Sequence, residues 1–383
     1  MHNCRRRKHG PRIGTRRLLT QAPVAGLLAG FVLAGCATTT SLFTGELPLQ
    51  PVKGKTHPLG ATIELQDGYA TRPVIIDTGS IYYFETPPAS AVSSPLSCAP
   101  PETFTYGVGV AKFCPSSQTL TARSSDGALE TILGSSITLG LAQFSDWEPG
   151  IPNAVLGLAG NMQGPNRNGI SPLIDQIKPS QLSFRFPNGG LANGMMSFGP
   201  LPADRLSGAS PIPLVNPGSL GYGYTANIKR MEFIGSGKVL AAITYGRDGV
   251  FLEHGTARDK IAEQHVAFFD TGTPLPLVFS NGDISLLGNN VTTGNIGTNT
   301  SGPFYDELRV VFDSATGNSV TLQTKDLGPF QSNNPSAVVP TKAEFPANMK
   351  MLASVIGYPM LTRYDFQIDF DGTTAKDIAF VSR

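Results

Sequence analysis

The sequence predicts an all-β protein built as two related halves, and three observations predict it. The 383-residue chain carries 43 glycines and 31 prolines, a density of turn-formers that suits many short strands and argues against a helical bundle. Apolar residues alternate with polar ones in short runs and seldom recur at helical spacing. One strand-and-motif unit occurs twice, 193 residues apart, which marks an internal duplication. At this length two domains or one large two-lobed body is expected. Hydrophobic residues make up 40% and charged residues 15%, enough apolar material for a sizeable core.

The N-terminus reads as an address. Residues 1–35 hold seven cations (Arg5, Arg6, Arg7, Lys8, Arg12, Arg16 and Arg17) and no acid, then an apolar stretch from Ala22 to Val32. A basic part, an apolar part and a small-residue site compose an export signal. The apolar part is too short for a transmembrane helix, which needs about 20 apolar residues. Leu33-Ala34-Gly35-Cys36 resembles a bacterial lipobox, which implies cleavage before Cys36 and acylation of its sulfur. Thr15-Arg16-Arg17-Leu18-Leu19 resembles a twin-arginine motif. Residues 36–56 are Thr-rich and then Pro/Lys-containing, and read as a tether to the folded body.

Beyond residue 35 the balance is 22 Lys and Arg against 28 Asp and Glu. An acidic body disfavours a nucleic-acid partner, since phosphate binding needs a basic surface. Cys98 and Cys114 are the cysteines left beyond the signal and Cys36, an even pair in an oxidising compartment. A disulfide between them closes a loop of about 15 residues and stabilises by ~3 kcal/mol in the chain-entropy description. Two isolated cysteines without a nearby His do not make a zinc centre.

From Ala61 the pattern is β. Ala61-Thr62-Ile63-Glu64-Leu65 alternates, Asp67-Gly68 turns the chain, and Val74-Ile75-Ile76 runs apolar. Phe184 and Phe186 alternate with polar neighbours. Leu308 to Phe312 and Val320 to Leu322 flank Gly317-Asn318, a hairpin signal. Tyr364, Phe366, Ile368 and Phe370 alternate ahead of Asp371-Gly372, and Ile378 to Val381 returns. The helical signals are few and short. One is Ser171 to Ile177, with Ser171 as N-cap and Pro172 at the first helical position. Residues 288–302 are a Gly, Asn, Thr and Ser loop without the Lys-Ser/Thr of a phosphate loop.

The duplicated unit carries the chemistry. Val74-Ile75-Ile76-Asp77-Thr78-Gly79-Ser80 is an apolar strand running into Asp-Thr-Gly-Ser, and Val266-Ala267-Phe268-Phe269-Asp270-Thr271-Gly272-Thr273 repeats it. One such triple arises by chance in roughly one chain of this length in ten. Two, each behind an apolar strand and before a hydroxyl residue, are far rarer. A second element repeats as well: Ala154-Val155-Leu156-Gly157 follows the first copy, and Ser354-Val355-Ile356-Gly357 follows the second.

On these residues the chain resembles the pepsin-like aspartic proteases over most of residues 60–383. Further segments extend the resemblance: Asn153 to Ala159, Ser183 to Gly199, Tyr224 to Leu240, and Val355 to Asp371. The resemblance implies an all-β bilobed fold of double-ψ β-barrel-type lobes with a central cleft and few short helices. The lobes would span 57–205 and 206–383. Asp77 and Asp270 would form a catalytic dyad that hydrolyses peptide bonds at acidic to mildly acidic pH, without metal or other cofactor. Two carboxyls close together share one proton, the arrangement for which aspartic proteases are the type case. Thr78 and Thr271 would brace the dyad, Gly79 and Gly272 would let backbone approach it, and Ser80 and Thr273 would hydrogen-bond its outer oxygens.

The sequence departs from the family pattern between residues 85 and 134. Tyr106 with Gly107 is the flap candidate, yet it lies only 29 residues after Asp77; the alternative is an ordinary strand aromatic. Phe84, seven residues after Asp77, stands where the family often has Trp and cannot donate a hydrogen bond. Pro274 stands where Ser is usual. Only 41 residues separate Cys36 from Asp77, so activity without removal of a prosegment is expected. Other readings find no support: no Gly-x-Ser-x-Gly elbow occurs, and His57, His254 and His265 lack metal-ligand spacing. His265 reads as structural, and Trp147 as core or cleft wall. The expected protein is a monomeric, lipid-anchored endopeptidase of the bacterial cell envelope, on its periplasmic side, taking extended polypeptide. The alternative is an inactive pepsin-fold binding or inhibitor-like lipoprotein.

Overall fold

Short runs of alternating or continuous apolar residues, cut by glycine and proline turns, produce strands almost throughout. A computed structural model describes residues 42–53, 58–67, 70–87, 98, 101–106, 109–132, 135–145, 151–160, 169–187, 193–215, 223–235, 237–273, 277–280, 307–323, 338–341 and 351–382. The first half runs β1 (Leu47–Pro48), β2 (Gln50–Lys53), β3 (Pro58–Gln66), β4 (Thr71–Asp77), β5 (Tyr83–Glu85), β6 (Glu102–Tyr106), β7 (Gly109–Gln118), β8 (Thr121–Arg123), β9 (Leu129–Thr131), β10 (Ile137–Ser145), β11 (Ala154–Gly157), α1 (Leu173–Ile177), β12 (Gln181–Arg185), β13 (Met195–Ser197) and α2 (Ala203–Leu206). The second half runs β14 (Ile212–Pro213), β15 (Tyr224–Gly235), β16 (Lys238–Gly246), β17 (Gly249–His254), β18 (Ala257–Ala262), β19 (Gln264–Asp270), β20 (Leu277–Ser280), β21 (Glu307–Asp313), β22 (Ser319–Gln323), β23 (Val338–Thr341), β24 (Met351–Gly357), α3 (Tyr358–Leu361), β25 (Asp365–Asp371) and β26 (Thr374–Val381).

These strands make three sheets. The first-half sheet has the order β6-β7-β10-β5-β11-β4-β3-β8-β9, with β2 on β3. The second-half sheet has the order β18-β17-β16-β15-β19-β24-β20-β23, with β21 on β15 and β22 on β21. A six-stranded sheet, β1-β13-β12-β25-β26-β14, draws strands from both halves. The fold is therefore all-β with few short helices, as the sequence predicts.

Side-chain alternation accounts for the core. In β3, Ala61, Ile63 and Leu65 are buried; in β21, Leu308, Val310 and Phe312 are, as a period of two requires. Gly317, at φ +84°, turns β21 into β22 in a conformation that costs glycine nothing. Phe184 stacks on Phe366 at 4.6 Å between ring centroids, which locks β12 to β25 at the centre of the six-stranded sheet.

The structure corrects two expectations. The tether expected over 36–56 ends earlier. Leu47 and Pro48 pair with Met196 and Met195, β2 pairs with β3, and Leu47, Leu49 and Val52 are buried. Edge strands two to four residues long, interrupted by proline, carry too little pattern to be read as strands. Ser171 is not the N-cap of α1. Pro172 holds that position without a side-chain cap, and Lys178 closes the helix in a left-handed conformation at φ 47°. Thr40–Arg383 form one compact unit, and β25 and β26 sit between β12 and β14. The export signal, Cys36, His57, Gly107, Trp147, Pro274 and the loop 288–302 lie outside the described residues. The expected disulfide is present, with the Cα atoms of Cys98 and Cys114 5.7 Å apart.

Candidate active site

Each Asp-Thr-Gly copy ends a buried strand. β4 runs parallel to β11, with Val155 opposite Ile75, Leu156 opposite Ile76 and Gly157 opposite Asp77. β19 runs parallel to β24, with Val355 opposite Phe268, Ile356 opposite Phe269 and Gly357 opposite Asp270. The two repeats of the sequence thus pair with each other in one register in both halves, and both aspartates sit level with the glycine of the neighbouring strand. Gly157 allows a tight approach: a Cβ there would lie 2.4 Å from the Tyr82 carbonyl oxygen.

Beyond each aspartate the chain turns, and the two turns face each other. The Gly79 N–H donates to Asp77 Oδ1 at 2.8 Å, and the Gly272 N–H to Asp270 Oδ1 at 2.7 Å. The Ser80 hydroxyl donates to Asp77 Oδ2, and the Thr273 hydroxyl to Asp270 Oδ2 at 2.6 Å. The threonines cross between the halves. Thr271 Oγ1 accepts the Thr78 N–H at 3.0 Å and donates to the Ile76 carbonyl at 3.0 Å. Thr78 Oγ1 accepts the Thr271 N–H at 2.9 Å and donates to the Phe269 carbonyl at 2.9 Å. Both threonines are buried, so these bonds are made away from competing water.

The glycines measure how closely the halves meet. A Cβ on Gly79 would lie 2.6 Å from Asp270 Cγ, and one on Gly272 would lie 2.6 Å from Asp77 Cγ. Each turn therefore presses its bare Cα against the opposite carboxyl. Burial first, and then the negative charge of Asp270, push the Asp77 carboxyl well above the usual carboxylate range. The Ser80 hydroxyl works against this, and the hydrogen bond with Asp270 adds to it. Two carboxyls set close together disfavour simultaneous ionisation.

Of the residues singled out in the sequence, Asp77, Thr78, Gly79, Ser80, Asp270, Thr271, Gly272 and Thr273 come together in this cluster. Tyr106 ends β6 and pairs with Gly109 across the hairpin tip. Phe84 is fully buried and packs on Phe113 at 4.6 Å, so the position where the family often has Trp serves a purely apolar contact. His265 is also buried, 2.9 Å from the Ser354 hydroxyl, and burial lowers its pKa to about 3. It is a neutral core residue, as its place at the start of β19 suggests.

Two further groups escaped the sequence reading. Tyr224 is fully buried, and its hydroxyl donates to the Leu158 carbonyl just beyond β11. Glu85 is fully buried as well and accepts the Tyr83 hydroxyl at 2.5 Å. A charged residue closing the apolar run Ile81-Tyr82-Tyr83-Phe84 was the available signal for Glu85. Tyr224 gave none, because its partner is a backbone carbonyl from the other half. Among the described residues no three His, Cys, Asp or Glu side chains are grouped to hold a metal ion, and no helix is long and apolar enough to cross a membrane.

No protein-family model matches the chain, and no curated protein matches its sequence. Among solved structures, the crystal structure of the aspartic proteinase from Irpex lacteus is similar. The match has a TM-score of 0.58 and 16% identity, and covers 88% of this chain and 97% of that one. At that identity the likeness concerns architecture alone, and the architecture of this chain is pepsin-like: two β-rich lobes with few short helices.

Proposed function

We propose that the chain is an aspartic endopeptidase of the bacterial cell envelope, exported by its N-terminal signal and held to the membrane by a lipid on Cys36. The observation that carries the peptidase reading is the contact of each Asp-Thr-Gly turn with the opposite carboxyl. Peptide hydrolysis needs a water activated on one side of the carbonyl and the carbonyl oxygen protonated on the other. In the singly protonated pair, the carboxylate takes a proton from water as its oxygen attacks the carbonyl carbon. The carboxylic acid gives its proton to the carbonyl oxygen. The tetrahedral diol then collapses, the C–N bond breaks, and the amine nitrogen leaves with a proton returned by the pair. The acid and base roles belong to the pair and not to one residue. An extended substrate backbone in the cleft supplies strand-like hydrogen bonds.

The test is cleavage of a denatured protein from about pH 3 to 7, the range around carboxyl pKa values, by wild type, Asp77→Asn and Asp270→Asn side by side. Wild type is expected to cleave, and each variant to lose activity by ~10³-fold or more, the scale set by removing one member of a catalytic unit. A folded wild type inactive throughout would replace this reading with an inactive binding scaffold. Location is tested separately: a Cys36→Ser variant is expected in the soluble fraction and wild type with membranes.

A further inference from the structure

We propose that Tyr224 is a positioning residue of the peptidase: from the second half, its hydroxyl fixes the loop that holds the Asp77 turn and so sets how the two aspartate turns approach each other. The inference rests on the peptidase reading and names a residue that governs the spacing of its acids.

A closed circuit of bonds runs through both halves. In the first half the Leu158 N–H donates to the Asp77 carbonyl at 2.8 Å, and the Ala159 N–H to the Ser80 carbonyl at 2.7 Å. Residues 158 and 159 therefore hold both ends of the turn that carries Asp77. They lie beyond the strand ladder, since the pairing of β11 with β4 ends at Gly157 and that with β5 at Leu156. From the other half, the Tyr224 hydroxyl donates to the Leu158 carbonyl. Tyr224 opens β15 and pairs with Phe269, the residue before Asp270. The Phe269 carbonyl accepts the Thr78 hydroxyl at 2.9 Å, and Thr78 follows Asp77. The circuit thus leaves Asp77 through Leu158, crosses at Tyr224, meets the Asp270 strand at Phe269 and crosses back at Thr78.

Peptide geometry makes the tie stiff. The Leu158 carbonyl and the Ala159 N–H belong to one planar peptide unit. Tyr224 holds that plane by its oxygen, and the Ser80 carbonyl holds it by its hydrogen. A plane gripped at both edges cannot rotate without breaking a bond, and the Ser80 hydroxyl donates to Asp77 Oδ2. A tilt of the plane is thus passed to the carboxyl. Tyr224 and Leu158 are both fully buried, where a carbonyl stripped of its donor finds no water in exchange. The ring is seated as well. A Cβ on Gly160 would lie 3.1 Å from Tyr224 Cε1, so the loop after Leu158 packs directly on it. Phe370 meets the same ring edge-on at 6.1 Å between centroids, a geometry that resists sliding.

The experiment compares purified wild type with Tyr224→Phe, which removes the hydroxyl and keeps the ring, and with Gly160→Ala, which keeps the hydroxyl and crowds the ring. Tyr364→Phe is the control: Tyr364 is also buried, and its hydroxyl also bonds backbone, accepting the Gln323 N–H at 2.8 Å. Steady-state cleavage of one peptide is measured per folded molecule. Carbon-13 NMR follows the Asp77 carboxyl through its titration, with the signal identified by its loss in Asp77→Asn. Tyr224→Phe is expected to lower kcat by about tenfold or more with KM within about twofold, because a displaced acid costs the transition state and not substrate binding. It should also move the Asp77 titration to lower pH, since turns that part relieve both burial and repulsion. Gly160→Ala should move both readings in the same direction, and it decides the matter if Tyr224→Phe does not fold. Tyr364→Phe should leave both at wild-type values. A merely structural Tyr224 would lower the melting temperature and leave kcat and the Asp77 titration unaltered, which overturns the inference. The titration needs no turnover. A folded wild type without cleavage overturns the peptidase reading, and the Asp77 titration still decides whether Tyr224 sets the turns.

Discussion

At the scale of residues, the same carboxyl group is an ordinary surface acid or a buried one with a raised pKa according to what touches it. Among the described residues, Asp77 and Asp270 are set apart by two glycines that let the opposing turns close on them. This makes the missing side chain itself testable. In Gly272→Ala the new Cβ would lie 2.6 Å from Asp77 Cγ, far inside the ~3.5–4.0 Å of ordinary carbon contact. The strands should survive, because the clash is confined to the turn, but the pair must separate. The expected result is a loss of ~10²-fold or more in kcat/KM, the cost of displacing a catalytic group by about 1 Å, with an unchanged far-ultraviolet spectrum. Retained activity would show that the approach of the turns does not set the pair.

At the scale of elements, β5 carries two different functions on its two faces. Phe84 looks into the small core beneath the hairpin, whereas Tyr83 belongs to the main core. Glu85 lies buried near Asp67 and Arg72. Arg72 sits 3.2 Å from Asp67 and donates to the Thr86 carbonyl. Burial, and then the hydrogen bond with Asp67, push the Glu85 carboxyl up to about 8. The folded state therefore keeps its proton where the unfolded chain, near 4.5, has lost it. The stability this proton provides is complete below the unfolded value and declines as pH rises toward the folded one. Glu85→Gln, which cannot ionise, should flatten the fall in melting temperature between about pH 4.5 and 8. An unchanged slope would show that Glu85 is ionised in the folded protein.

At the scale of the whole molecule, opposing titrations bracket a stability maximum. His265, with its pKa lowered to about 3 by burial, binds its proton first in the unfolded chain, so stability is lost as pH falls from 6.5 toward 3. Glu85 and Asp77, both raised, remove stability as pH climbs. One rising contribution and two falling ones cancel near about pH 4, where melting temperature should peak. His265→Gln should lower the acid-side slope and Glu85→Gln the alkaline one, and a peak unmoved by either variant would refute this account. The halves are also tied by the threonine crossing. Thr271→Val strands the buried Thr78 N–H and the Ile76 carbonyl without their side-chain partner. It should cost ~1–3 kcal/mol in denaturant unfolding while leaving a single transition, because the six-stranded sheet still joins both halves. Two transitions would mean that the crossing is the main tie.

The amino-acid sequence by itself determined the strand-rich class, the hairpin at Gly317, the disulfide pair and the residues of the dyad turns. These are local matters: alternation, turn chemistry and a repeated triple are written in consecutive residues. Tertiary structure alone decided that each Asp-Thr-Gly turn presses on the opposite carboxyl, that residues 47–53 join the body as edge strands, that β25 and β26 seal the sheet common to both halves, and that Glu85 is buried. Each depends on which distant backbone lies opposite, at separations such as the 193 residues between Thr78 and Thr271. Such contacts leave no periodicity in the chain, because a hydrogen bond between distant segments constrains one residue on each side and none of their neighbours.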